Sequence, residues 1–410
     1  MTRPDVVVIG GGVAGGALAN GLVRRGMSVV VLERAERFED RVRGEYLAPW
    51  GVAEAKRLGV LDDIDERSQV LRTMRLVDSA DVVDDTVDLT TCAPGADGAR
   101  GIAHPELCDV LLAGARRHGA VVHMGVDAVV ELGSDPAVRF ADGSVLRPRI
   151  VIGADGIASV VRAAAGWAWS RRAPTVLGAG LAVRGLCEAD HDVAIEGTAG
   201  DVMSYLIPQR EGRARLYLNY AVDAGPSFLG SPRASGFLDA YPKGWAPTSK
   251  LVAAGPCRVV PLTDGEPSAL VGRGAALIGD AAGHCNPILG QGLAIAMRDA
   301  NLVSEILASG DAADWEEALE TRFVLARREL LRRMRVTADA IVAAAASFGP
   351  DGGERRAAIR ARGRSNLHLA ALLLAPFTGP HQGDEFTFSP IVLRRLLDPP
   401  PSRVRRLAVG

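Results

Sequence analysis

The first thirty residues pass from an apolar strand through a glycine-rich turn into a helix. Val6–Ile9 is a continuous apolar run, as expected for a parallel strand that is covered on both faces. The pattern Gly10-x-Gly12-x-x-Gly15 follows at once, and the helix that it opens ends at Gly26. Met27–Leu32 predicts the next strand. The chain must therefore begin with a βαβ unit of about thirty residues.

Each glycine of this pattern serves a separate purpose when such a unit binds a dinucleotide. Gly10 permits the tight turn, Gly12 lets a pyrophosphate approach the backbone, and Gly15 lets the helix pack closely on the sheet. The helix start, at Val13 and Ala14, offers free N–H groups and the positive end of its dipole to the phosphates. The pattern predicts a bound dinucleotide.

Glu33 closes the second strand, eighteen residues beyond Gly15. A carboxylate in this place accepts hydrogen bonds from ribose hydroxyls and repels a 2′-phosphate, so FAD or NAD fits and NADP does not. The alternative is a solvated glutamate at a strand end. Arg34, which follows it, is included in the candidate site.

Composition excludes several other classes of protein. The chain has 410 residues, too many for one simple core, and its formal net charge of -2 provides no general basic field for nucleic acid. Five scattered cysteines form no CxxC pair and no zinc-like spacing with histidine, which favours reduced thiols in a cytoplasm and no metal site. The later apolar segments are far shorter than the ~20 residues that span a bilayer, so no membrane span is expected.

Helical and strand-like patterns alternate along the rest of the chain. The predicted elements are strands within 73–89, a helix over 105–119, a hairpin over 129–152, an antiparallel sheet over 174–262, a strand at 275–278 and long helices over roughly 292–374. The tail after Pro376 is expected to be irregular. The expected cofactor-binding pieces are 1–72, 101–173 and 265–305, the substrate domain is 73–100 and 174–264, and the C-terminal helical region is 306–410.

Two further glycine-rich turns lie between a strand and a helix. The first is Gly153-Ala154-Asp155-Gly156, followed by Ser159 and Arg162. The second runs from Gly279-Asp280 through His284-Cys285 to Pro287-Ile288-Leu289-Gly290-Gln291-Gly292. An aspartate in the second turn can bind a sugar-alcohol hydroxyl. Its last glycines expose N–H groups at a helix start, which suits negative charge on a flavin pyrimidine ring.

These three patterns, in this order, resemble those of single-component flavoprotein monooxygenases related to p-hydroxybenzoate hydroxylase. Flavin-dependent halogenases and geranylgeranyl reductases are similar. The resemblance spans roughly residues 1–305 and implies an α/β, Rossmann-like FAD-binding fold of the glutathione-reductase type. An antiparallel-sheet substrate domain would be inserted into it, with a helical region at the C-terminus.

The resemblance also implies roles for individual residues. Asp155 would lie near the FAD pyrophosphate, Asp280 would meet the ribityl chain, and the turn from Pro287 to Gly292 would border the isoalloxazine ring. Arg43, before Gly44-Glu45-Tyr46-Leu47-x-Pro49, matches an arginine of these relatives that approaches the cofactor. Arg43 and Pro287 are the two candidate catalytic residues. The residues expected to bind FAD are Gly10, Gly12, Val13, Ala14, Gly15, Glu33, Arg34, Arg43, Asp155, Asp280, Pro287, Gly290, Gln291, Gly292 and Leu293.

Some positions depart from the relatives' patterns. His104-Pro105 stands where many relatives have an arginine at the head of a helix, and Gly283 extends the GDAAH of many hydroxylases. Geranylgeranyl reductases share that glycine but favour glutamate at the position of Gln291. His284 and Cys285 could be a base and a nucleophile, but nothing orients them as a dyad, so packing or flavin contact is the favoured interpretation.

The reaction must be chosen among several that one fold supports. A halogenase would have a lysine soon after the Gly44 segment and a WxWxIP strand, whereas the only nearby lysine is Lys56 and the strand reads Ser204-Tyr205-Leu206-Ile207-Pro208. A reductase of prenyl chains would have a Trp-x-Phe-Pro variant of that strand. A non-redox escort protein need not keep the flavin-ring turn.

Hydroxylation or epoxidation is therefore the preferred reaction. Reduced flavin would take up O₂ and transfer one oxygen atom through a C4a-hydroperoxyflavin to an electron-rich small molecule, aromatic or from secondary metabolism. NAD(P)H would visit transiently, because the chain has no second dinucleotide fingerprint. Tyr46, Met203, Tyr205 and Tyr220 are candidate walls of the substrate pocket, with a core position as the alternative for each strand residue. Leu369–Phe377 could cover the pocket mouth or simply end a helix.

Overall fold

Two large sheets and a group of C-terminal helices make up the structure. The computed structural model describes residues 3–42, 44–79, 83–187, 190–224, 233–242 and 250–398. The strands are β1 (Val6–Ile9), β2 (Val29–Glu33), β3 (Tyr46–Leu47), β4 (Gln69–Leu71), β5 (Thr73–Asp78), β6 (Val83–Asp88), β7 (Ala99–Gly101), β8 (Val121–Met124), β9 (Ala128–Glu131), β10 (Ala137–Phe140), β11 (Val145–Leu146), β12 (Ile150–Gly153), β13 (Trp169–Arg171), β14 (Val176–Arg184), β15 (Val193–Ala199), β16 (Val202–Pro208), β17 (Arg213–Ala221), β18 (Val252–Ala253), β19 (Arg258–Leu262), β20 (Gly265–Pro267), β21 (Val271–Gly272) and β22 (Ala275–Leu277).

Helices lie between and after these strands. They are α1 (Val13–Val23), α2 (Pro49–Arg57), α3 (Leu61–Asp65), α4 (His104–Arg117), α5 (Val160–Ala165), α6 (Arg233–Ala240), α7 (Gly292–Ser309), α8 (Trp315–Ala318), α9 (Leu325–Ala345), α10 (Gly352–Ser365), α11 (Leu367–Thr378) and α12 (Pro390–Leu397). Short 3-10 turns occupy Gly279–Ala282, Pro287–Leu289 and Ala312–Asp314, and a π-helical turn occupies Leu319–Val324.

The first sheet has six strands in the order β21-β22-β12-β1-β2-β8, and all but β21 run parallel. Its central strand β1 is completely apolar and buried on both faces, as the sequence predicts. In the register, Ile9 lies opposite Leu32 on one side and Gly153 on the other. The carboxyl ends of three parallel strands therefore meet at one edge, which is where α/β sheets bind their ligands.

The second sheet has eight strands in the order β18-β14-β17-β16-β15-β5-β6, with β19 also paired to β14. Its neighbours are antiparallel except for β15 and β5, which run parallel. The β5–β6 hairpin joins from a part of the chain about a hundred residues earlier. This sheet is the antiparallel insertion that the alternating pattern predicts, with β15 as an additional strand.

The two faces of this second sheet have different surroundings. Cross-strand partners share a face, so Tyr205 lies on the same side as its opposite residues Glu196 and Tyr217. We call this side the cofactor face, because Tyr205 reaches across to Ile288 of the first domain. The other face packs beneath α6, where Phe237 and Tyr241 form a separate apolar cluster.

Two predicted elements differ from the structure. The turn at Asp142 closes a hairpin between β10 and β11 only, and the following strand β12 leaves it to pair with β1. The tail after Pro376 is not wholly irregular, because α11 continues to Thr378 and α12 forms at Pro390–Leu397. The Ser389 side chain caps α12 by accepting a hydrogen bond from the Val392 N–H, and proline at the first helical position favours the same start.

Candidate functional site

The glycine turn after β1 is shaped by close backbone packing. Gly10 has φ +101, and a Cβ on it would approach the Ala154 carbonyl oxygen to 2.5 Å. A Cβ on Gly15 would overlap the Gly10 carbonyl oxygen. The fold therefore requires glycine at both positions, whether or not a cofactor binds. The close approach at Gly10 also shows that the turn at 153–156 lies against the first glycine loop.

Gly12 has no such requirement. It is the N-cap of α1 with an ordinary extended backbone (φ -65), and a Cβ added to it would meet nothing within 4 Å. Gly292, the first residue of α7, also faces open space. Val13 and Ala14 follow Gly12 in the buried first turn of α1, where N–H groups have no acceptor within the helix. Two helix starts thus border unfilled cradles, which is what a bound anionic cofactor requires.

Glu33 is fixed beside the first cradle. Its Oε2 accepts a hydrogen bond of 2.7 Å from the Gly11 N–H, and its Oε1 accepts one of 2.9 Å from the Ala35 N–H. Each carboxylate oxygen keeps a further lone pair, so the group can still accept from ribose hydroxyls. Arg34 is exposed next to it.

Asp155 lies on the other side of the first glycine turn. Its Oδ2 accepts a hydrogen bond of 2.6 Å from the Val160 N–H and so helps to start α5. Its Oδ1 is buried and, within the described part of the chain, has no hydrogen-bond partner. Burial raises the pKa of this carboxyl. A buried acceptor without a donor is costly, and a cofactor or its bound water would satisfy it.

The third glycine-rich turn, at 279–283, lies next to the other two. A Cβ on Gly279 would come within 2.7 Å of the Ala14 Cβ, so this turn lies against the start of α1. Asp280 is only partly buried there and keeps accessible surface. Three segments more than a hundred residues apart along the chain therefore surround one groove.

Two charged residues that the sequence reasoning missed hold this third turn. Asp299 of α7 accepts a hydrogen bond of 2.8 Å from the Gly279 N–H and pairs at 3.3 Å with Arg327 of α9. Arg327 donates to the carbonyls of Gly279 and Gly283 at 3.0 and 2.7 Å. Both side chains are almost completely buried. Desolvation raises the pKa of Asp299 to about 6, and the arginine opposes that rise.

The flavin-ring turn follows as a 3-10 turn over Pro287–Leu289. Pro287 is exposed, and Gly290 has φ +66. Gln291 is buried as the N-cap of α7, and its Oε1 accepts a hydrogen bond of 2.7 Å from the Trp50 indole N–H. Leu293 packs against Gly44. The exposed Pro287 and the open cradle at Gly292 therefore form one accessible edge.

The segment around Arg43 is held from the second sheet. Arg43 itself lies outside the described residues. Arg215 of β17 donates to Asp40 at 2.6 Å and lies 3.3 Å from Glu45, and Tyr217 donates to Glu45. Burial raises the pKa of Glu45 to about 7. These contacts clamp the loop on both sides of position 43.

His104, at the start of α4, lies against the same loop. A Cβ on Gly44 would approach its Nδ1 to 2.7 Å. The Cys108 thiol lies 3.6 Å from the Nε2 of His104. His104 thus packs beneath the loop at the place where many relatives have an arginine.

The four pocket-wall candidates divide into two groups. Tyr46 lies against Gly290, and Tyr205 donates a hydrogen bond of 2.8 Å to the Ile288 carbonyl, so both border the flavin-ring turn. Met203 is on the same face but is fully buried in the main core. Tyr220 as a wall residue is wrong: it lies on the opposite face, 1% exposed, in the cluster with Phe237 and Tyr241. Successive side chains of a strand point to opposite faces of the sheet, so Tyr220, three residues after Tyr217, points away from the cofactor face.

The C-terminal end of helix α11 packs next to Tyr46 and Tyr205. Phe377, near its C-terminal end, packs in one apolar cluster with Met74, Cys92 and Ile207, and Tyr46 and Tyr205 border that cluster. Both interpretations of Leu369–Phe377, a cover over the substrate pocket and a plain helix end, stay predictions.

Cys285 and His284 do not form a catalytic pair. The thiol is buried, and desolvation raises its pKa to about 12, so it is not a thiolate near neutral pH. His284 stacks on Trp169 with ring centroids 5.7 Å apart. Both residues pack the turn that carries Asp280.

Within the described ranges, no group of three or more His, Cys, Asp or Glu side chains is arranged to hold a metal ion. None of the helices described is long and apolar enough to cross a membrane.

Comparisons with known proteins agree with this geometry. The chain is 28% identical over 339 residues to a menaquinone reductase of Mycolicibacterium smegmatis, covering 78% of this chain and 80% of that protein. It is 27% identical over 344 residues to the 3-demethoxyubiquinol 3-hydroxylase of Escherichia coli, covering 80% and 85%. A solved structure of aklavinone-11 hydroxylase with FAD and aklavinone shares the fold, with a TM-score of 0.68, 21% identity and coverage of 83% and 68%.

The family model described as FAD binding domain matches residues 3–224, more than half of the chain. The open cradles at Gly12 and Gly292, the carboxylate of Glu33 and the unpartnered oxygen of Asp155 fit FAD. The α/β FAD-binding fold and the resemblance to flavoprotein monooxygenases are confirmed. The chain belongs to the FAD binding domain family and is an FAD-dependent oxidoreductase.

Proposed function

We propose that the protein is a monooxygenase that inserts one oxygen atom into an electron-rich small molecule, by hydroxylation or epoxidation. One observation carries this proposal: the polar side chains of Tyr46, Tyr205 and Glu196 lie together where the antiparallel sheet meets the flavin-ring turn. Bound FAD, reduced by NAD(P)H, supplies the activation of O₂. These polar side chains suit a substrate that carries a polar group on an aromatic ring.

The chain's own residues bind and orient the cofactor. The first turn of α1 receives the pyrophosphate, Glu33 accepts from a ribose, and Asp280 accepts from the ribityl chain. The N–H groups from Gly290 to Leu293, at the start of α7, face negative charge on the pyrimidine ring. Pro287 and Arg43 are proposed to border the reacting edge, and Phe377 excludes water from the pocket.

A second cleft offers a place for the reductant. It has a volume of about 400 Å³ and is lined by Glu39, Arg41, Arg233, Cys257, Arg258, Val259 and Val260. Arg41 lies in the loop that leads to position 43, and Arg258 lies at the edge of the cofactor face. A guanidinium group can donate two parallel hydrogen bonds to phosphate oxygens, so this cleft suits the diphosphate of a nicotinamide nucleotide.

Replacing Arg258 with alanine is expected to raise KM for NAD(P)H about fivefold and to change kcat little, because an exposed charge-assisted hydrogen bond contributes about 1 kcal/mol. Steady-state oxidation of NADH and of NADPH by the FAD-loaded protein measures this. The matched control is Arg139→Ala, an exposed arginine of β10 outside the cleft. An unchanged KM in the Arg258 variant would place the reductant elsewhere.

The overall activity has a direct test. The purified protein is expected to be yellow, to oxidise NAD(P)H faster when an aromatic substrate is present, and to incorporate one atom of ¹⁸O₂ into the product. Substrate-stimulated oxidation without ¹⁸O in any product would contradict the proposed oxygen insertion.

Reduction of a prenyl chain is the second candidate function. The similarity to a menaquinone reductase over 78% of this chain and the extra Gly283 favour it. It would consume NAD(P)H under anaerobic conditions and remove a double bond from an isoprenoid quinone, whereas a monooxygenase needs O₂ for product. Measuring product formation in air and under anaerobic conditions therefore distinguishes the reductase from the monooxygenase.

Halogenation and a non-redox escort role have less support. The sequence lacks the lysine and tryptophans of the halogenases, and an escort protein would not need the flavin-ring turn. A product that depends on chloride or bromide would support halogenation. A protein that cannot be loaded with FAD would support the escort role.

A further inference from the structure

Glu196 is an unusual residue for the wall of a pocket. It lies in the middle of β15, opposite Tyr205 of β16 and Leu76 of β5, on the cofactor face. Protein atoms surround its carboxyl group, which is hydrogen-bonded to Tyr205, and the Tyr205 hydroxyl reaches the Ile288 carbonyl of the flavin-ring turn. The carboxyl group therefore lies beside the flavin-ring turn.

No cation neutralises this carboxyl group within the described chain. The titratable groups that interact with it are the hydroxyls of Tyr205 and Tyr46, and the Cys92 thiol interacts in turn with Tyr46. Asp78, two residues further along β5 from Leu76, is already paired with Arg356 and Arg360 at 2.8 and 2.7 Å. Desolvation raises the pKa of Glu196 to about 7.

The other facing groups do not titrate near neutral pH. Burial raises the pKa of Cys92 to about 11, and it raises those of Tyr46 and Tyr205 above the ordinary tyrosine value. Glu45, next to Tyr46 in the chain, also has a pKa raised to about 7, but it is paired with Arg215 and hydrogen-bonded to Tyr217. Among the groups that interact with Tyr46 and Tyr205, Glu196 is therefore the carboxyl group without a cation whose charge changes around pH 7.

The Tyr46 hydroxyl is a second polar group beside Glu196. Its hydroxyl is buried and has no hydrogen-bond partner among the described residues, while its ring lies against Gly290 of the flavin-ring turn. Tyr205 cannot satisfy this hydroxyl, because it already donates to the Ile288 carbonyl and is hydrogen-bonded to Glu196. The Tyr46 hydroxyl is thus a buried group without a partner among the described residues, and the Glu196 carboxylate, which has more lone pairs than its contact with Tyr205 uses, can accept a further hydrogen bond.

We propose that Glu196 and Tyr46 recognise a hydroxyl group of the substrate, and that Glu196 rejects substrates that present a carboxylate at this position. The hydroxyl oxygen accepts from Tyr46 and its hydrogen donates to Glu196, so both buried groups are satisfied at once. A carboxylate would instead meet a like charge in a site of low dielectric. This inference deepens the proposed oxygenase function by naming its substrate class.

Binding of two aromatic probes of similar shape tests the proposal without turnover. The FAD-loaded protein is titrated with 1-naphthol and with 1-naphthoate at pH 8, and the change in flavin absorbance gives each Kd. Wild type is expected to bind the naphthol at least tenfold more tightly. Glu196→Gln is expected to reduce that preference at least fivefold, mainly by tighter binding of the naphthoate.

The pH dependence gives a second measurement. Because the pKa of Glu196 is raised, the carboxyl becomes neutral below about pH 7, and wild type should bind the naphthoate more tightly at pH 6 than at pH 8. Glu196→Gln should remove this dependence.

A matched control and clear contrary outcomes complete the experiment. Glu317→Gln, on the exposed side of α8, should behave like wild type. A wild type that binds neither probe, or that prefers the naphthoate at pH 8, contradicts the proposal, as does an unchanged preference in FAD-loaded Glu196→Gln. Because no oxygen is consumed, these results are independent of whether ¹⁸O₂ is incorporated.

Discussion

Replacing Arg327 with methionine is expected to lower the free energy of unfolding by about 3–5 kcal/mol and to leave the protein without FAD. The guanidinium group is almost completely buried, pairs with Asp299 and donates to two carbonyls of the 279–283 turn. Methionine fills a similar volume but leaves a buried carboxylate without its cation. Removing one partner of a buried pair has this cost because the remaining charge stays desolvated.

Urea unfolding at pH 8 and the ratio of FAD absorbance to protein absorbance measure the two effects. Arg328→Met is the matched control, since Arg328 is the next residue of α9 and is exposed. The double variant Arg327→Met/Asp299→Asn should recover part of the lost stability, because it removes the uncompensated charge. Equal stability of Arg327→Met and Arg328→Met would show that the pair contributes nothing.

The loss should depend on pH in a defined direction. The pKa of Asp299 is about 6 with the arginine present, above its ordinary value near 3.8, and removing the arginine raises it further. A carboxyl whose pKa is raised in the folded state destabilises the fold as pH rises through the window between its unfolded and folded pKa. The difference between Arg327→Met and wild type should therefore be smaller at pH 5 than at pH 8.

Local patterns explain why much of the cofactor site could be predicted from the sequence. The three glycine-rich turns each lie between a strand and a helix, and Glu33 ends the strand that follows the first helix, so their chemistry can be predicted from short stretches of sequence. Their convergence required only that parallel strands end at one edge of a sheet. The structure brings Gly10 to Ala154 and Gly279 to Ala14 accordingly.

Long-range pairing explains what could not be predicted. Alternation along β17 shows that Tyr217 and Tyr220 point to opposite faces, but not which face meets the cofactor, since that depends on packing against α6 and the flavin-ring turn. Glu196 was missed because its strand β15 is defined by pairing with β5, about 120 residues earlier. A charged residue within an apolar helix, such as Asp299 in α7, was the available signal for the buried pair.

Gly12 and Gly15 allow a comparison that separates the needs of the fold from those of the cofactor. Gly12→Ala is expected to change the unfolding free energy of the FAD-free protein by less than about 1 kcal/mol, because its backbone is ordinary and its Cβ meets nothing within 4 Å. The same methyl group would occupy the place where the pyrophosphate meets the helix start. FAD affinity should fall tenfold or more, since each charge-assisted hydrogen bond lost contributes about 1.5–3 kcal/mol.

Gly15→Ala should behave in the opposite way. Its Cβ would overlap the Gly10 carbonyl oxygen, so the helix must shift from the sheet, and the FAD-free protein should lose about 1–3 kcal/mol of stability. Urea unfolding of the FAD-free variants and fluorescence titration with FAD measure both quantities. Gly133→Ala is the control for Gly12→Ala, because Gly133 also faces open space but lies in the turn between β9 and β10. If Gly12→Ala kept wild-type FAD affinity, the space before α1 would not be the pyrophosphate site, and the glycine pattern would serve packing alone.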